Sequence, residues 1–192
     1  MTSQPRIVLL GPPGAGKGTQ AAFIASSLNI PHISTGDMMR AAVRVGDDLS
    51  KRLASYLDNG ELVPDAVIID VVRDRVGQDD CCNGFLLDGF PRTLDQAKAL
   101  DELLTGLDAP LTHIIDFQVP TDIVTARLLK RAADSGRSDD TAEVIENRMK
   151  VYEAETQPVS AFYADRLRVV DGVGTIDEIK ERISGILADI GG

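Results

Sequence analysis

Short apolar runs alternate along the chain with longer amphipathic stretches. The runs are apolar through their middles rather than alternating with polar residues, which is typical of strands buried on both faces of a parallel sheet. They predict five strands, at residues 7–10, 32–34, 85–88, 112–119 and 168–171. Strand and helix alternation of this kind favours an α/β domain with right-handed crossover connections.

Two helix starts carry the capping-box pattern, in which an N-cap hydroxyl and a Glu or Gln three residues later satisfy exposed backbone amides. One start is Thr93 with Gln96, and the other is Thr175 with Glu178. After the second box, helical spacing predicts one apolar face, made by Ile176, Ile179, Ile183, Ile186, Leu187 and Ile190.

Two segments depart from this alternation. Residues 34–63 look helical but contain no strand of their own, whereas residues 127–140 are short, polar and basic, with Ser135 and Gly136 at the tip. Both are predicted to be mobile insertions over the carboxyl edge of the sheet, where such folds bind ligands.

Composition and charge narrow the class of protein. A chain of 192 residues predicts one domain with room for a modest insertion. The net charge of -10 opposes binding to nucleic acid or an anionic membrane, but permits a small anionic ligand where basic residues cluster. The adjacent Cys81 and Cys82 are poorly placed for a disulfide, so reduced thiols are expected. The N-terminal residues lack a signal-peptide layout and no apolar run reaches transmembrane length, which predicts a cytoplasmic protein.

The most informative motif is a glycine-rich loop, GPPGAGKGT, that follows the first strand and precedes a helix. Its glycines let successive amides point inward to bind an anion at the helix N-terminus, and Lys17 adds a positive charge near the β- and γ-phosphates of a nucleotide. The usual pattern has Ser or Thr directly after the lysine, but here Gly18 intervenes before Thr19. Direct ligation of Mg²⁺ by that hydroxyl is therefore not predicted.

Further polar residues follow two other predicted strands. Asp88 ends an apolar strand and is placed to act on Mg²⁺ through water or to orient the loop. It leads into a turn in which Gly89 permits close approach of a ligand and Arg92 can reach over the strand edge. Upstream, the stretch STGDMMR places Arg40 about one turn into a helix.

Several arginines complete the basic set of this acidic chain. Arg127 and Arg131 share one helix face because they are four residues apart. Arginine is always charged and can bind phosphate oxygens in bidentate fashion. Around a phosphate loop, the set predicts a clamp for several phosphates, made by Arg40, Arg92, Arg127, Arg131, Arg137 and Arg148.

The combined motifs GPPGAGKGTQ, STGD, DGFPR and SGRSDD resemble those of the adenylate kinases, within the nucleoside monophosphate kinase family, over residues 7 to about 190. The resemblance implies one P-loop NTPase-type three-layer domain over 1–192, with a five-stranded parallel sheet. It further implies a helical AMP-binding insertion at 34–63 and a short lid at 127–137. The implied reaction is ATP + AMP ⇌ 2 ADP, with Mg²⁺ accompanying ATP, in adenine nucleotide homeostasis.

The resemblance also implies roles for matching residues. The ATP-binding residues would be Gly14, Ala15, Gly16, Lys17, Gly18, Thr19, Arg127, Arg131 and Gly174. The AMP-binding residues would be Thr35, Arg40, Glu61, Leu62, Val63, Gly89, Arg92, Gln96, Arg137 and Arg148, with Gln96 reading the adenine edge. The catalytic set would be Lys17, Arg92, Arg127, Arg131, Arg137 and Arg148.

Relatives with longer lids sometimes hold structural zinc there, but this lid has neither the length nor the cysteines, so no structural zinc is expected. In this family Gly18 is normal and Mg²⁺ is held mainly by phosphates and water, which leaves Asp88 as the candidate contact through water. The resemblance also suggests a monomer that binds ATP, AMP and ADP. The two histidines, His32 and His113, lie in apolar strands and are expected to be structural.

Two other functions use related motifs. A UMP/CMP kinase shares the whole scaffold, but Thr35 and Gln96 match the adenine-reading pattern, whereas pyrimidine-directed relatives tend to carry Ala and Asn. A noncatalytic GTPase-type switch would need an Asn-Lys-x-Asp guanine motif, which the sequence lacks. The sequence therefore favours AMP as the phosphoryl acceptor.

Overall fold

The computed structural model describes residues 4–45, 48–135 and 141–190. Within them, all strands pair in parallel in one five-stranded sheet, ordered β2-β3-β1-β4-β5. The strands are β1 (Arg6–Leu10), β2 (His32–Ser34), β3 (Phe85–Asp88), β4 (His113–Gln118) and β5 (Leu167–Asp171). The predicted α/β class and parallel sheet are confirmed, and no strand end differs from its prediction by more than one residue.

Helices connect and cover the strands in the described ranges. They are α1 (Lys17–Leu28), α2 (Thr35–Val43), α3 (Asp48–Asp58), α4 (Asp65–Val76), α5 (Leu94–Gly106), α6 (Thr121–Ser135), α7 (Ala142–Val151), α8 (Gln157–Phe162) and α9 (Ile176–Ile190). A π-helical turn, Tyr152–Thr156, joins α7 to α8, and short 3-10 turns occupy Asp79–Cys81 and Ala164–Arg166. In this part of the chain, no helix is both long and apolar enough to cross a membrane.

The central strand β1 divides the core into two layers. Ile7 and Leu9 pack in one apolar cluster with residues of α1 and α9, whereas Val8 and Leu10 pack in a second cluster with residues of α4, α5 and α8. All four side chains are buried. Because helices cover both faces, the strand is apolar at consecutive positions, which explains the continuous runs in the sequence.

Strand β5 differs from its prediction. Only Val170 is buried along it, and Arg168 and Val169 are exposed, so the expectation of burial on both faces is wrong for this strand. β5 lies at the edge of the sheet, where Val170 packs with Ile179 and Ile183 of α9. An edge strand therefore needs fewer apolar positions than β1 or β3.

The two predicted capping boxes form to different extents. At the start of α9, the backbone N–H of Glu178 donates to Thr175 Oγ1, and the backbone N–H of Thr175 donates to Glu178 Oε2, so the box is complete. At the start of α5, Thr93 Oγ1 accepts from the Gln96 N–H, but Gln96 Oε1 accepts from the N–H of Arg92 instead. The second box is therefore only half formed, because the Gln96 amide has other partners.

The prediction of a buried apolar face on α9 is confirmed for the middle of the helix. Ile179, Ile183 and Leu187 are buried and Ile186 packs against the same cluster. Ile176 is 53% exposed, because it lies at the first turn of the helix beside the cleft described below. The side chain of Ile190 lies outside the described residues.

The two segments that do not follow the strand and helix alternation both contain helix in their described residues. Residues 35–63 contain α2 and α3, which pack against each other outside the sheet. Residues 127–135 continue α6, a single helix that begins at Thr121. Arg137 and the rest of the predicted lid tip lie outside the described residues. The boundaries at 34–63 and 127–137, and the mobility of both segments, stay predictions.

Candidate active site

The glycine-rich loop joins the end of β1 at Leu10 to the start of α1 at Lys17. Gly14 and Gly16 have positive φ angles of 84° and 92°, in the left-handed region that side chains other than glycine rarely adopt. A Cβ on Gly14 would also lie 2.8 Å from Leu128 Cγ of α6. Glycine is therefore required both by the turn and by the close packing of the loop on α6.

The Lys17 side chain is held inside the loop. Its Nζ donates to the carbonyl oxygens of Gly11, at 2.7 Å, and Pro12, at 2.9 Å. Burial lowers the pKa of Lys17 to about 8, and the nearby Asp88 carboxylate opposes that shift. The amine is therefore mostly protonated at neutral pH, and an incoming phosphate would favour the charged form further.

Asp88 lies beside the start of α1. A Cβ on Gly18 would lie 3.5 Å from Asp88 Oδ2, and His32 Nε2 lies 3.6 Å from the same oxygen. Burial would raise the pKa of Asp88, but His32, Lys17 and Arg92 outweigh burial and hold that pKa below its usual value. An ionised carboxylate therefore adjoins the loop, at the position expected from the sequence.

A cleft of about 730 Å³ opens in front of the loop, at the carboxyl ends of the strands. Its volume lies within the range of about 300–1,000 Å³ that is common for small-molecule sites. The structure brings five of the predicted arginines to this one cleft, namely Arg40, Arg92, Arg127, Arg131 and Arg148. An acidic chain thus concentrates positive charge where the loop can bind an anion.

Two of these arginines also brace the backbone around the cleft. Arg127 Nη2 donates to Gly172 O, at 3.0 Å, and so ties α6 to the segment that follows β5. Arg92 Nε donates to Gly89 O, at 2.8 Å, within the turn after β3. Gly174 lies in the loop before α9 with a φ of 132° and lines the same cleft. The hydrogen bonds of Arg92 and Arg127 therefore hold their guanidinium groups in place at the cleft.

A smaller cavity of about 40 Å³ adjoins the cleft, and Leu62, Gly89 and Arg92 line both. The predicted AMP-binding residues that line this smaller cavity are Thr35, Glu61, Leu62, Val63, Gly89, Arg92 and Gln96. Thr35 and Gln96 are each 2% exposed, so their polar atoms face the protein interior and the cavity rather than bulk water. Residues of the 34–63 segment and of the turn after β3 therefore line the same small cavity.

Sequence reasoning missed three residues of this region. His32 lines the cleft and faces Asp88, although it was expected to be structural. Asp65, the first residue of α4, accepts hydrogen bonds from Gln96 and Thr93. Tyr152 lines the cleft from the π-helical turn. An Asp at the start of a helix is favoured by the helix dipole, so the sequence could mark Asp65 as a first-turn residue but not its partners on α5.

Two further kinds of chemistry would depend on metal ligands and on thiols. In the described residues, no three or more His, Cys, Asp or Glu side chains are arranged to hold a metal ion. Cys81 is buried, Cys82 is exposed and both are free thiols, as expected. Burial raises the pKa of Cys81 to about 11, so this thiol is a poor nucleophile.

A lysine-bearing phosphate loop at the carboxyl end of the central strand, facing several arginines across a cleft, defines the P-loop class of α/β nucleotide-binding proteins. The family model for adenylate kinase matches residues 9–167. The chain belongs to the adenylate kinase family and is a phosphotransferase.

Curated relatives agree with the family match over nearly the whole chain. An adenylate kinase of Leptospira biflexa serovar Patoc is 49% identical over 180 residues, which cover 93% of this chain and 97% of the relative. An adenylate kinase of Bifidobacterium longum is 48% identical over 180 residues, with the same coverage of each chain. One from Rhodococcus erythropolis is 48% identical over 177 residues, covering 92% of this chain and 96% of the relative.

Proposed function

We propose that the chain catalyses ATP + AMP ⇌ 2 ADP and so balances the adenine nucleotide pool. The main support for this proposal is that the cleft and the smaller cavity adjoin each other. Lys17 in the phosphate loop and Gln96 in the smaller cavity lie at adjoining sites, and Arg92 lines both cavities. One nucleotide bound at each site would bring its phosphates toward the other.

On the ATP side, the loop amides from Gly14 to Thr19 and the Lys17 ammonium group bind the phosphates. Arg127 and Arg131, one helical turn apart on α6, line the cleft beside them. Gly174 borders the adenine, since it precedes α9 at the cleft wall. The positive end of the α1 dipole attracts the phosphates in addition to the charged side chains.

On the AMP side, the backbone of Glu61 to Val63 and the side chains of Thr35 and Gln96 form the base pocket. Arg40, Arg92 and Arg148 hold the phosphate of AMP, and Arg137 joins them from the lid. Among the described residues, every member of this set lines at least one of the two cavities, and Arg137 lies outside the described residues. The arginines therefore connect the base pocket to the phosphate loop.

Mg²⁺ enters with ATP as part of the substrate, and the residues present fit such an ion. The Asp88 carboxylate is ionised, lies beside Gly18 and is the candidate contact through water. A single carboxylate suits a metal that keeps several waters and phosphate ligands. When bound, Mg²⁺ neutralises charge on the β- and γ-phosphate oxygens.

The reaction needs no protein nucleophile, because AMP itself attacks the terminal phosphorus of ATP. Phosphoryl transfer passes through a loose transition state, so the chain contributes alignment and charge stabilisation. Lys17, Arg92 and Arg148 line the same cleft, and charge repulsion from the two arginines helps to lower the pKa of Lys17. A transferring phosphoryl group placed there would relieve that repulsion and bind all three cations.

Closure of the two insertions would exclude water and so prevent wasteful hydrolysis of ATP. A contact between the AMP-binding insertion and α7 supports this part of the proposal. Asn147 Nδ2 donates to Asn59 O, at 2.7 Å, and a Cβ on Gly60 would lie 2.8 Å from Arg148 Cγ. The end of α3 thus rests on the helix that carries Arg148. The further expectations of a cytoplasmic monomer without nucleic-acid or membrane partners rest on the sequence.

A panel of acceptors tests the proposal. Transfer from ATP is measured to AMP, UMP, CMP and GMP at equal concentrations with excess Mg²⁺. We expect AMP to be the preferred acceptor by kcat/KM. Preferred turnover of UMP or CMP would instead assign a pyrimidine nucleotide kinase, and transfer to none of the four would exclude the proposed reaction.

A further inference from the structure

Asp65 links the start of α4 to the start of α5 through both of its carboxylate oxygens. Oδ1 accepts from Gln96 Nε2 at 2.7 Å, and Oδ2 accepts from Thr93 Oγ1 at 3.0 Å. In the sequence, Asp65 is 28 residues from Thr93 and 31 residues from Gln96. Asp65 is half-buried and is separated only by Pro64 from the segment Glu61–Val63 that lines the smaller cavity.

These contacts leave the Gln96 amide only one favourable orientation. An ionised carboxylate can only accept hydrogen bonds and a backbone N–H can only donate them. The nitrogen end of the amide faces Asp65, and the oxygen end accepts from the Arg92 N–H at 2.7 Å. Rotation of the amide by 180° would place two donors together at Arg92 and two acceptors together at Asp65. Because Gln96 is 2% exposed, water cannot readily satisfy the atoms left unpaired.

The fixed amide retains one N–H and one oxygen lone pair for a ligand in the adjoining cavity. Adenine presents the complementary pair on its Watson–Crick edge, with N1 as acceptor and the 6-amino group as donor. A 6-oxopurine presents the reverse, with an N1–H donor and an O6 acceptor. A fixed Gln96 amide therefore fits adenine, whereas a freely rotating amide could fit either base.

We propose that Asp65 is a positioning residue that fixes the Gln96 amide and thereby makes the acceptor site selective for adenine over a 6-oxopurine. This inference rests on the proposed function, because it takes the smaller cavity as the site of the acceptor base. Asp65 acts through Gln96 and need not touch the nucleotide. Thr93 strengthens the arrangement, since its hydroxyl holds the second carboxylate oxygen.

The test compares AMP with inosine monophosphate, which differs in the donor and acceptor order of that edge. The ratio of their kcat/KM values is measured at saturating ATP for the native chain, Asp65→Ala and Asp65→Asn. We expect Asp65→Ala to lower the AMP preference by about tenfold, the scale of one hydrogen bond to a charged group. Asp65→Asn should fall between the two, because its side chain keeps one acceptor. The KM for ATP should change by less than about twofold, because the phosphate loop is untouched.

Asp95→Ala is the matched control. Asp95 also lies in a helix first turn, next to Gln96, but it is exposed and pairs with Lys98. Its removal should leave the preference for AMP unchanged. The second control introduces Asp65→Ala into a Gln96→Ala background, where no amide remains to be oriented. There the substitution should have no further effect on the ratio.

The outcomes separate the inference from the proposed function. If the native chain transfers no phosphate to AMP, the proposed function fails. If the native chain prefers AMP but Asp65→Ala keeps the native ratio, the positioning role is wrong. An equal loss in the Gln96→Ala background, or in Asp95→Ala, would also overturn it, because the effect would then not pass through the Gln96 amide. Should Asp65→Ala fail to fold, Asp65→Leu, which keeps a similar side-chain size but has no acceptor, decides the question by the same ratio, and an unchanged ratio overturns the proposal.

Discussion

The Lys17 ammonium group donates a 2.7 Å hydrogen bond to the carbonyl oxygen of Gly11, across the loop that both residues help to form. The loop thus holds its cation ready at the place where phosphates are proposed to bind. A charge fixed before the ligand arrives needs little reorganisation when negative charge develops.

Replacement of Lys17 by Met should remove this charge while keeping much of the side-chain length. We expect turnover to fall by at least ~10²-fold, the scale of one preorganised electrostatic group. The initial rate of ADP formation at saturating substrates measures the effect. Lys98→Met, at an exposed lysine on α5, is the control and should keep the native rate. Near-native turnover in Lys17→Met would remove Lys17 from the catalytic set.

The lowered pKa of Lys17 predicts a dependence of ATP binding on pH. Below about pH 8 the free enzyme carries a protonated Lys17, and above it the amine loses its charge. We therefore expect kcat/KM for ATP to fall as the pH rises through about 8, since that ratio reports on the free enzyme. The value of kcat should fall less, because bound phosphates keep the amine charged. A kcat/KM that stays constant up to pH 9.5 would contradict the assignment.

Two glycines should respond in opposite ways to the same substitution. Gly60 has a φ of 69°, and a Cβ there would lie 2.8 Å from Arg148 Cγ. We expect Gly60→Ala to destabilise the chain by about 1–3 kcal/mol through backbone strain and to raise the KM for AMP by displacing Arg148. Thermal unfolding and acceptor kinetics measure the two effects.

Gly185 supplies the matched comparison, because it lies within α9 and a Cβ there would meet nothing within 4 Å. Gly185→Ala should stabilise the chain by about 0.5–1 kcal/mol and leave the kinetics unchanged. If Gly60→Ala leaves both the stability and the KM for AMP at native values, then the close packing of Gly60 against Arg148 does not affect AMP binding.

Asp88 should affect the requirement for Mg²⁺. Asp88→Asn removes a carboxylate that is ionised in the native chain and lies beside Gly18. We expect the Mg²⁺ concentration for half-maximal activity to rise severalfold, with kcat falling by about tenfold or more. Activity titrated against Mg²⁺ at constant ATP gives both numbers. Asp95→Asn should titrate as the native chain does, and the same behaviour in Asp88→Asn would exclude the carboxylate from the metal environment.

The sheet and the phosphate loop could be predicted from the sequence because their signals are local. Continuous apolar runs mark β1 and β3, and the order of strand, glycines, lysine and helix marks the loop. The burial of β5 could not be predicted in the same way. Whether Val169 is covered depends on the position of its strand in the sheet, and its local sequence does not encode that position.

Single sequence motifs predicted which residues lie near the candidate site, but not the contacts between residues of different motifs. The motifs of Arg40, Arg92 and Gln96 predicted that these residues lie near the ligand cavities, where the structure places them, but the sequence did not show that Asp65 holds the Gln96 amide. That contact depends on how α4 and α5 pack, which involves residues 31 positions apart. The capping-box pattern even predicted a different partner for the Gln96 side chain, because a local rule takes no account of a carboxylate from another helix.

In the proposed reaction, the cleft binds two nucleotides at once, one as the phosphoryl donor and one as the acceptor. The most direct measurement follows ATP, AMP and ADP together by chromatography after the purified chain is mixed with ATP, AMP and Mg²⁺. We expect one ATP and one AMP to disappear for every two ADP formed, and ADP alone to yield ATP and AMP in equal amounts. ADP formed from ATP without consumption of AMP would contradict the proposed reaction, because the chain would then transfer the phosphoryl group to water.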